Sequence, residues 1–285
     1  MSVYELLVHR DLTSPVLVLA TEGWVDAGLG ASGALGHILG QLDTETMCRF
    51  DGDEFIDYRA RRPIVRIVDG VNTGLEWPQL ELRVGHDKGG KDVLLLIGPE
   101  PDMRWRLFVR TLVGLTVDLG VRLVCGLGAF PAPVPHTRPV RLAATAGTQE
   151  LADRVGHVNG TIEVATGVHG ALEEGFTAAG VPAGGLWARV PHYLTATPYP
   201  AASAALVDGL SDVADLQLDS TDLHAAAAIT MARVDDMIGN SSEHTELVRQ
   251  LEASVDAAEG MPSGDEIAAE LERFLRDQGR DPGEY

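Results

Sequence analysis

The 285-residue chain carries 42 acidic against 22 basic residues, a formal net charge of −20. That balance argues against nucleic-acid binding, which needs concentrated positive charge against phosphates. With 45% hydrophobic and 22% charged residues the composition is that of a folded globular protein, and apolar runs such as Val16 to Ala20 stop far short of the roughly 20 residues a bilayer helix needs, so disordered, collagen-like and membrane-spanning readings fall away.

Taken along the chain, short β-branched runs alternate with Gly- and Pro-punctuated loops and helical patterns, the signature of a layered α/β domain. The start, Met1-Ser-Val-Tyr-Glu, has neither a basic region nor an apolar run, so no secretory signal is expected. Strands are expected at residues 3–9, 16–20, 46–50, 64–68, 80–84, 93–97, 122–126, 141–145 and 186–190. The runs Val-Leu-Val-Leu-Ala and Val-Leu-Leu-Leu-Ile lack polar alternation, which places them at the centre of a mostly parallel or mixed sheet covered on both faces. Helices are expected at residues 27–41, 103–119, 149–156, 169–179 and 201–209. Together these make an α/β core over residues 1–220.

From about Thr221 the pattern turns wholly helical. Asp222 can cap a segment whose Leu223, Ala227, Val234 and Ile238 share one face before Gly239. Leu247, Leu251 and Val255 mark a second amphipathic helix, and Ser263-Gly-Asp-Glu266 is a capping box opening a third through Ile267, Leu271, Phe274 and Leu275. A helical subdomain over 221–279 and a flexible tail over 280–285 are therefore expected. Charge divides in the same way. Residues 1–200 hold 17 basic and 23 acidic groups, whereas residues 201–285 hold 5 and 19.

Chemistry-bearing residues gather in the loops after the apparent strands. Glu22 and Asp26 follow the second strand, Glu100 and Asp102 sit among prolines after residues 93–97, and His136, Thr137 and Arg138 lie in a four-proline loop after residues 122–126. His192 follows residues 186–190. If the sheet is mainly parallel these loops share one edge, where open α/β sheets place their crevice. There Arg138 could hold a phosphate or carboxylate, His136 could carry a proton, and Glu100 or Asp102 could act as base or orienting group. The structural alternative is that Arg138 pairs with Glu100 or Asp102 and ties two loops together. Gly28-Leu-Gly30-Ala-Ser-Gly33 matches a dinucleotide fingerprint, but seven residues separate it from the strand that should precede it, and close packing of a helix explains the glycines as well. No cofactor is expected. Nor is a metal, since nine histidines are scattered without HExxH and the two cysteines form no CxxC; their scarcity fits a reducing cytoplasm. No GxSxG elbow or Walker A sequence occurs.

Five motifs in order resemble one family: Gly23-Trp-Val-Asp26-Ala-Gly28, Leu96-Ile-Gly98-Pro-Glu100-Pro-Asp102-Met-Arg-Trp105, Val134-Pro-His136-Thr-Arg138-Pro139, His192-Tyr-Leu-Thr-Ala-Thr-Pro-Tyr-Pro200 and Pro262-Ser-Gly-Asp-Glu266. Spread over almost the whole chain, they resemble the bacterial branch of the proteasome assembly chaperone 2 family. The resemblance implies a three-layer, phosphorylase/hydrolase-like core with a helical carboxyl-terminal piece, and homo-oligomers, trimers among them. It carries no catalytic set. Relatives bind proteasome subunits, some through a terminal hydrophobic-Tyr-any residue tail; this chain ends Pro282-Gly-Glu-Tyr285, with Tyr last, and departs from it. The expected function is a noncatalytic, assembly-chaperone-like protein whose partners are proteasome subunits or another protein. The alternative is a binder of, or enzyme on, a nucleoside, phosphate or carboxylate.

Overall fold

A computed structural model of the chain describes residues 3–23, 25–155 and 160–259. Ten strands occur among these residues: β1 (Tyr4–Leu6), β2 (Val16–Glu22), β3 (Glu45–Phe50), β4 (Ile64–Val68), β5 (Val71–Glu76), β6 (Glu81–His86), β7 (Asp92–Pro99), β8 (Leu123–Ala132), β9 (Leu142–Ala146) and β10 (Ala183–Pro191). The helices are α1 (Gly30–Gln41), α2 (Gly52–Phe55), α3 (Trp105–Asp118), α4 (Gln149–Val155), α5 (Val168–Ala178), α6 (Pro200–Ala214), α7 (Thr221–Gly239) and α8 (Ser242–Glu259). The third expected carboxyl-terminal helix, the tail over 280–285, Trp24 and Gly156 lie outside the described residues.

Eight strands form one sheet in the order β1-β3-β6-β7-β2-β8-β10-β9. The middle four, β7, β2, β8 and β10, run parallel, while β1, β3, β6 and β9 are attached antiparallel at the flanks. The mixed form of the expected sheet is thus the one realised. Strand β2 shows why both of its faces are apolar. Val16 and Val18 point into a cluster with Ala34 and Ile38 of α1 and Leu206 and Leu210 of α6. Leu17 and Leu19 point the other way, towards Phe108 and Leu112 of α3 and Leu172 and Phe176 of α5. Alternate side chains of a strand leave on opposite faces, so one run of five apolar residues supplies two cores and the protein has three layers.

The glycines of residues 28–33 serve packing. A Cβ on Gly30 would fall 2.8 Å from the Ala129 Cβ and 3.1 Å from the Ala202 Cβ, so α1 approaches β8 and α6 more closely than a side chain allows. Gly28 takes φ +61, which only glycine adopts cheaply, and turns the chain in a short 3-10 turn before α1. No phosphate cradle follows directly on a strand here.

One expected strand behaves differently. Residues 64–68 do not join the central sheet but pair with β5 in a separate two-stranded hairpin. Its turn is Asp69-Gly70, both at positive φ (51° and 81°), a two-residue loop whose twist matches the flanking strands. Both cysteines are buried, and burial pushes their thiols up to about 12, leaving them as inert core residues. No helix among the described residues is long and apolar enough to cross a membrane.

Candidate functional site

Because β2, β7, β8 and β10 are parallel, the loops leaving Glu22, Pro99, Ala132 and Pro191 all start from one edge of the sheet. Asp26 forms an isolated parallel bridge with Ala129, and the Glu100 N–H donates to the Glu22 carbonyl at 2.8 Å. The expected shared edge is therefore present. Its residues nevertheless divide into three groups with different partners.

The first group lines a cleft of about 530 Å³ at the ends of β2 and β8, closed by α1 on one side and by the start of α5 on the other. Glu22, Asp26 and Glu100 belong to it. Asp26 accepts from the Ala31 N–H at 2.7 Å and the Ser32 N–H at 3.0 Å, and Ser32 Oγ donates to it as well, so this carboxylate satisfies amides in the first turn of α1. Glu100 accepts from the Val168 N–H, the first amide of α5. Across the cleft His169 shares a hydrogen bond with Thr21 Oγ1 at 3.0 Å, and burial lowers its pKa from 6.5 to about 4. Among the described residues no Lys or Arg lines this cleft, and its carboxylates there are Glu22, Asp26 and Glu100.

His169 gives the fold a pH dependence whose sign follows from desolvation. The unfolded imidazole takes up a proton near 6.5, whereas the folded one stays neutral to about 4. Stability is thus complete above the unfolded value and declines as the pH falls from there towards the folded one, by on the order of 2 kcal/mol. Urea unfolding at about pH 7 and pH 4.5 checks this against His169→Gln. The parent's advantage over the variant should shrink at the lower pH, and an equal advantage at both would contradict it.

The second group is Asp102, which binds the α2 corner. Its Oδ2 accepts from the Asp57 N–H at 2.9 Å, its Oδ1 lies 3.2 Å from the Arg61 Nε, and its own N–H donates to the Phe55 carbonyl at 2.8 Å. It faces neither His136 nor Arg138.

The third group is the proline-stiffened loop between β8 and β9, which reaches α7 and α8. His136 is 1% exposed. Its Nε2 lies 2.9 Å from Asp235 Oδ1 of α7, its Nδ1 lies 2.8 Å from the Tyr193 hydroxyl, and its backbone N–H donates to that same hydroxyl at 2.9 Å. An ionised carboxylate only accepts, so Nε2 carries the proton, and Tyr193 accepts from the backbone while donating to Nδ1. Both ring nitrogens of His136 and the Tyr193 hydroxyl are then used. Thr137 Oγ1 donates to Glu252 Oε1 at 2.5 Å. Arg138 forms a fork on Asp256 of α8, with Nε at 2.9 Å from one oxygen and a terminal nitrogen at 2.8 Å from the other, and its remaining nitrogen lies 3.2 Å from Glu252. The guanidinium holds the Asp256 carboxyl below its ordinary value and is itself held charged more firmly. His192 is exposed in a short 3-10 turn and meets the Tyr193 ring edge-on at 5.3 Å, without joining the hydrogen-bonded chain.

The expected pairing of Arg138 with Glu100 or Asp102 is therefore not what occurs. The loop swings away from those carboxylates, and acids more than a hundred residues later take the guanidinium. Thr21, His169, Asp235, Glu252 and Asp256 escape a reading of local motifs, and Tyr193 enters one only as the neighbour of His192. Only Glu252 and Asp256 leave a trace, as acids four apart beside the Leu251–Val255 stripe.

Residues 20–238 match the model of the PAC2 family. Among solved structures, a Corynebacterium glutamicum protein of unknown function is 33% identical with a TM-score of 0.84, the match covering 90% of this chain and 98% of that one. A proteasome-assembly chaperone homologue from Mycobacterium tuberculosis is 36% identical with a TM-score of 0.76, covering 82% of this chain and 99% of that one. An archaeal proteasome activator from Pyrococcus furiosus is 16% identical with a TM-score of 0.61, covering 82% and 97%, and shares the fold. No curated protein matches. A family match spanning most of the chain, on a three-layer α/β fold shared with these bacterial proteins, places this chain in the PAC2 family.

Proposed function

We propose that this protein is a noncatalytic, assembly-chaperone-like binding protein of the cytoplasm, working as a homo-oligomer, with proteasome subunits as the partners to test first. The observation that carries this reading is the fate of the edge residues. Asp26 caps a helix, Asp102 binds the α2 corner, and His136, Thr137 and Arg138 are committed to α7 and α8. Groups neutralised in the fold have little left to offer a reacting substrate, whereas they make a rigid frame on which contact surfaces can be displayed. The same reading makes residues 1–220 the framework and the helices from Thr221 onward a contact subdomain. The family relationship to a proteasome-assembly chaperone homologue points the same way.

A second reading rests on the cleft of about 530 Å³, which is large enough for a small molecule. Its acidic lining and neutral His169 favour a neutral or cationic ligand over a phosphate or carboxylate. Affinity capture from the native cytoplasm, with residues 221–285 present and deleted, separates the two. Recovery of proteasome subunits by the full chain supports the binding protein; recovery of no proteasome subunit together with a co-purifying metabolite replaces it with the second reading.

A further inference from the structure

A smaller hollow of about 120 Å³ lies between the β8–β9 loop, the end of β10, the residue before α6, and α8, and shares no lining residue with the cleft. Its charge is of the other sign. Arg138, Arg141 and Arg189 line it, and among the described residues no acid does. In a chain of net charge −20 that is a local reversal, and a concave one.

Two polar groups in its wall have no task in the fold. Arg189 is half-buried and makes no side-chain hydrogen bond or ion pair among the described residues. Tyr199 is 2% exposed, and its hydroxyl has no hydrogen-bond partner among them either. Buried polar groups are nearly always paired, so an unpaired donor in a cavity wall points to an acceptor brought from outside. That oxygen is not sealed in, for among the described residues only the Arg83 Nε is both unpartnered and fully enclosed; the hollow that Tyr199 lines is its opening. Burial pushes the ionisation of Tyr199 up to about 12, so at neutral pH the hydroxyl remains a donor. Arg138 stays committed to Asp256 and Glu252 and serves as wall.

The donors select the ligand. A guanidinium presents two parallel N–H groups to the two oxygens of one carboxylate, and a hydroxyl can donate to a remaining lone pair. Phosphate sites are built on backbone amides, whereas Pro135, Pro139 and Pro191 bring no N–H to this wall. Beside the charges, Val140 and Val255 supply apolar surface, and the volume leaves room for a body of a few carbons.

We infer that this hollow binds a small free monocarboxylate, held by Arg189 and Tyr199 at its charged end and enclosed by Pro139, Val140 and Val255 along its apolar body. The site is additional to the acidic cleft and stands whichever protein partner the chain takes.

Isothermal titration calorimetry of the full chain with butyrate, hexanoate and benzoate, set against butylamine, butanol and inorganic phosphate, tests it. The best acid should bind at least tenfold more tightly than each of the three controls. Arg189→Gln should weaken that acid at least tenfold and Tyr199→Phe about threefold or more, while both free variants keep the parent's urea midpoint, because neither group has a partner in the fold. If Arg189→Gln shifts the midpoint, Tyr199→Phe, which keeps the ring, decides the matter alone. Absence of binding by all three acids at tens of millimolar overturns the inference. Phosphate binding as tightly as the best acid overturns the ligand class, and acid binding that both variants leave unchanged overturns the site.

Discussion

Gly98→Ala should cost on the order of 3–5 kcal/mol, more than any surface change in the molecule. Gly98 sits at φ +105, a conformation strained for any residue with a side chain, and a Cβ there would lie 2.0 Å from the Gln79 carbonyl oxygen and 3.1 Å from the Leu80 Cα. Both obstacles are backbone. They can yield only by moving the start of β6 away from β7, where Glu81 pairs with Ile97. The damage extends to the edge. Gly98 directly precedes Pro99 and Glu100, so displacing it pulls the Glu100 carboxylate from the Val168 amide and its N–H from Glu22. Urea unfolding read by far-UV circular dichroism measures the loss, and a variant within about 1 kcal/mol of the parent would show that the loop is not held as described.

His136→Leu comes next. The change roughly keeps volume but removes both ring nitrogens, leaving the Tyr193 hydroxyl without its acceptor and Asp235 without its donor. Tyr193, half-buried with its ionisation pushed up mainly by burial, bears most of the penalty. About 2–3 kcal/mol is expected, the usual cost of removing one partner from a buried polar chain. Asp235→Asn should cost well under 1 kcal/mol, because that side chain is 60% exposed and water can replace the ring. The order of the two variants is the informative result. Equal losses would place the energy in the carboxylate and not in the buried imidazole.

Much of the frame could be read from residue patterns because it rests on local ones. Val16 to Ala20 and Val93 to Ile97 are apolar on both faces, and only a central position covers both. The amphipathic spacing of Leu223, Ala227, Val234 and Ile238 likewise foretells α7, whose Ala227 and Val234 are buried. The hairpin was half legible. Residues 64–68 have the composition of a strand, but only Asp69-Gly70, a strong two-residue turn signal, reveals that the partner follows at once. What local patterns could not convey were pairings across long stretches of chain. His136 and Asp235 are 99 residues apart and Arg138 and Asp256 are 118 apart, and nothing in either neighbourhood names the other. Proline gave the β8–β9 loop its rigidity without its direction, so Arg138 could be placed on the correct edge while its partner was misassigned.

The central claim is that this loop ties the carboxyl-terminal helices to the sheet instead of presenting reactive groups. Hydrogen–deuterium exchange of the full chain carrying Arg138→Ala tests it most directly, by comparing amides of α8 with those of β2, β7 and β8. The fork on Asp256 and the contact with Glu252 are the charged links between loop and helix, so α8 should exchange at least tenfold faster while the central strands keep their protection. Unaltered exchange throughout α8 would contradict the account and return Arg138 to the pool of residues free to meet a ligand.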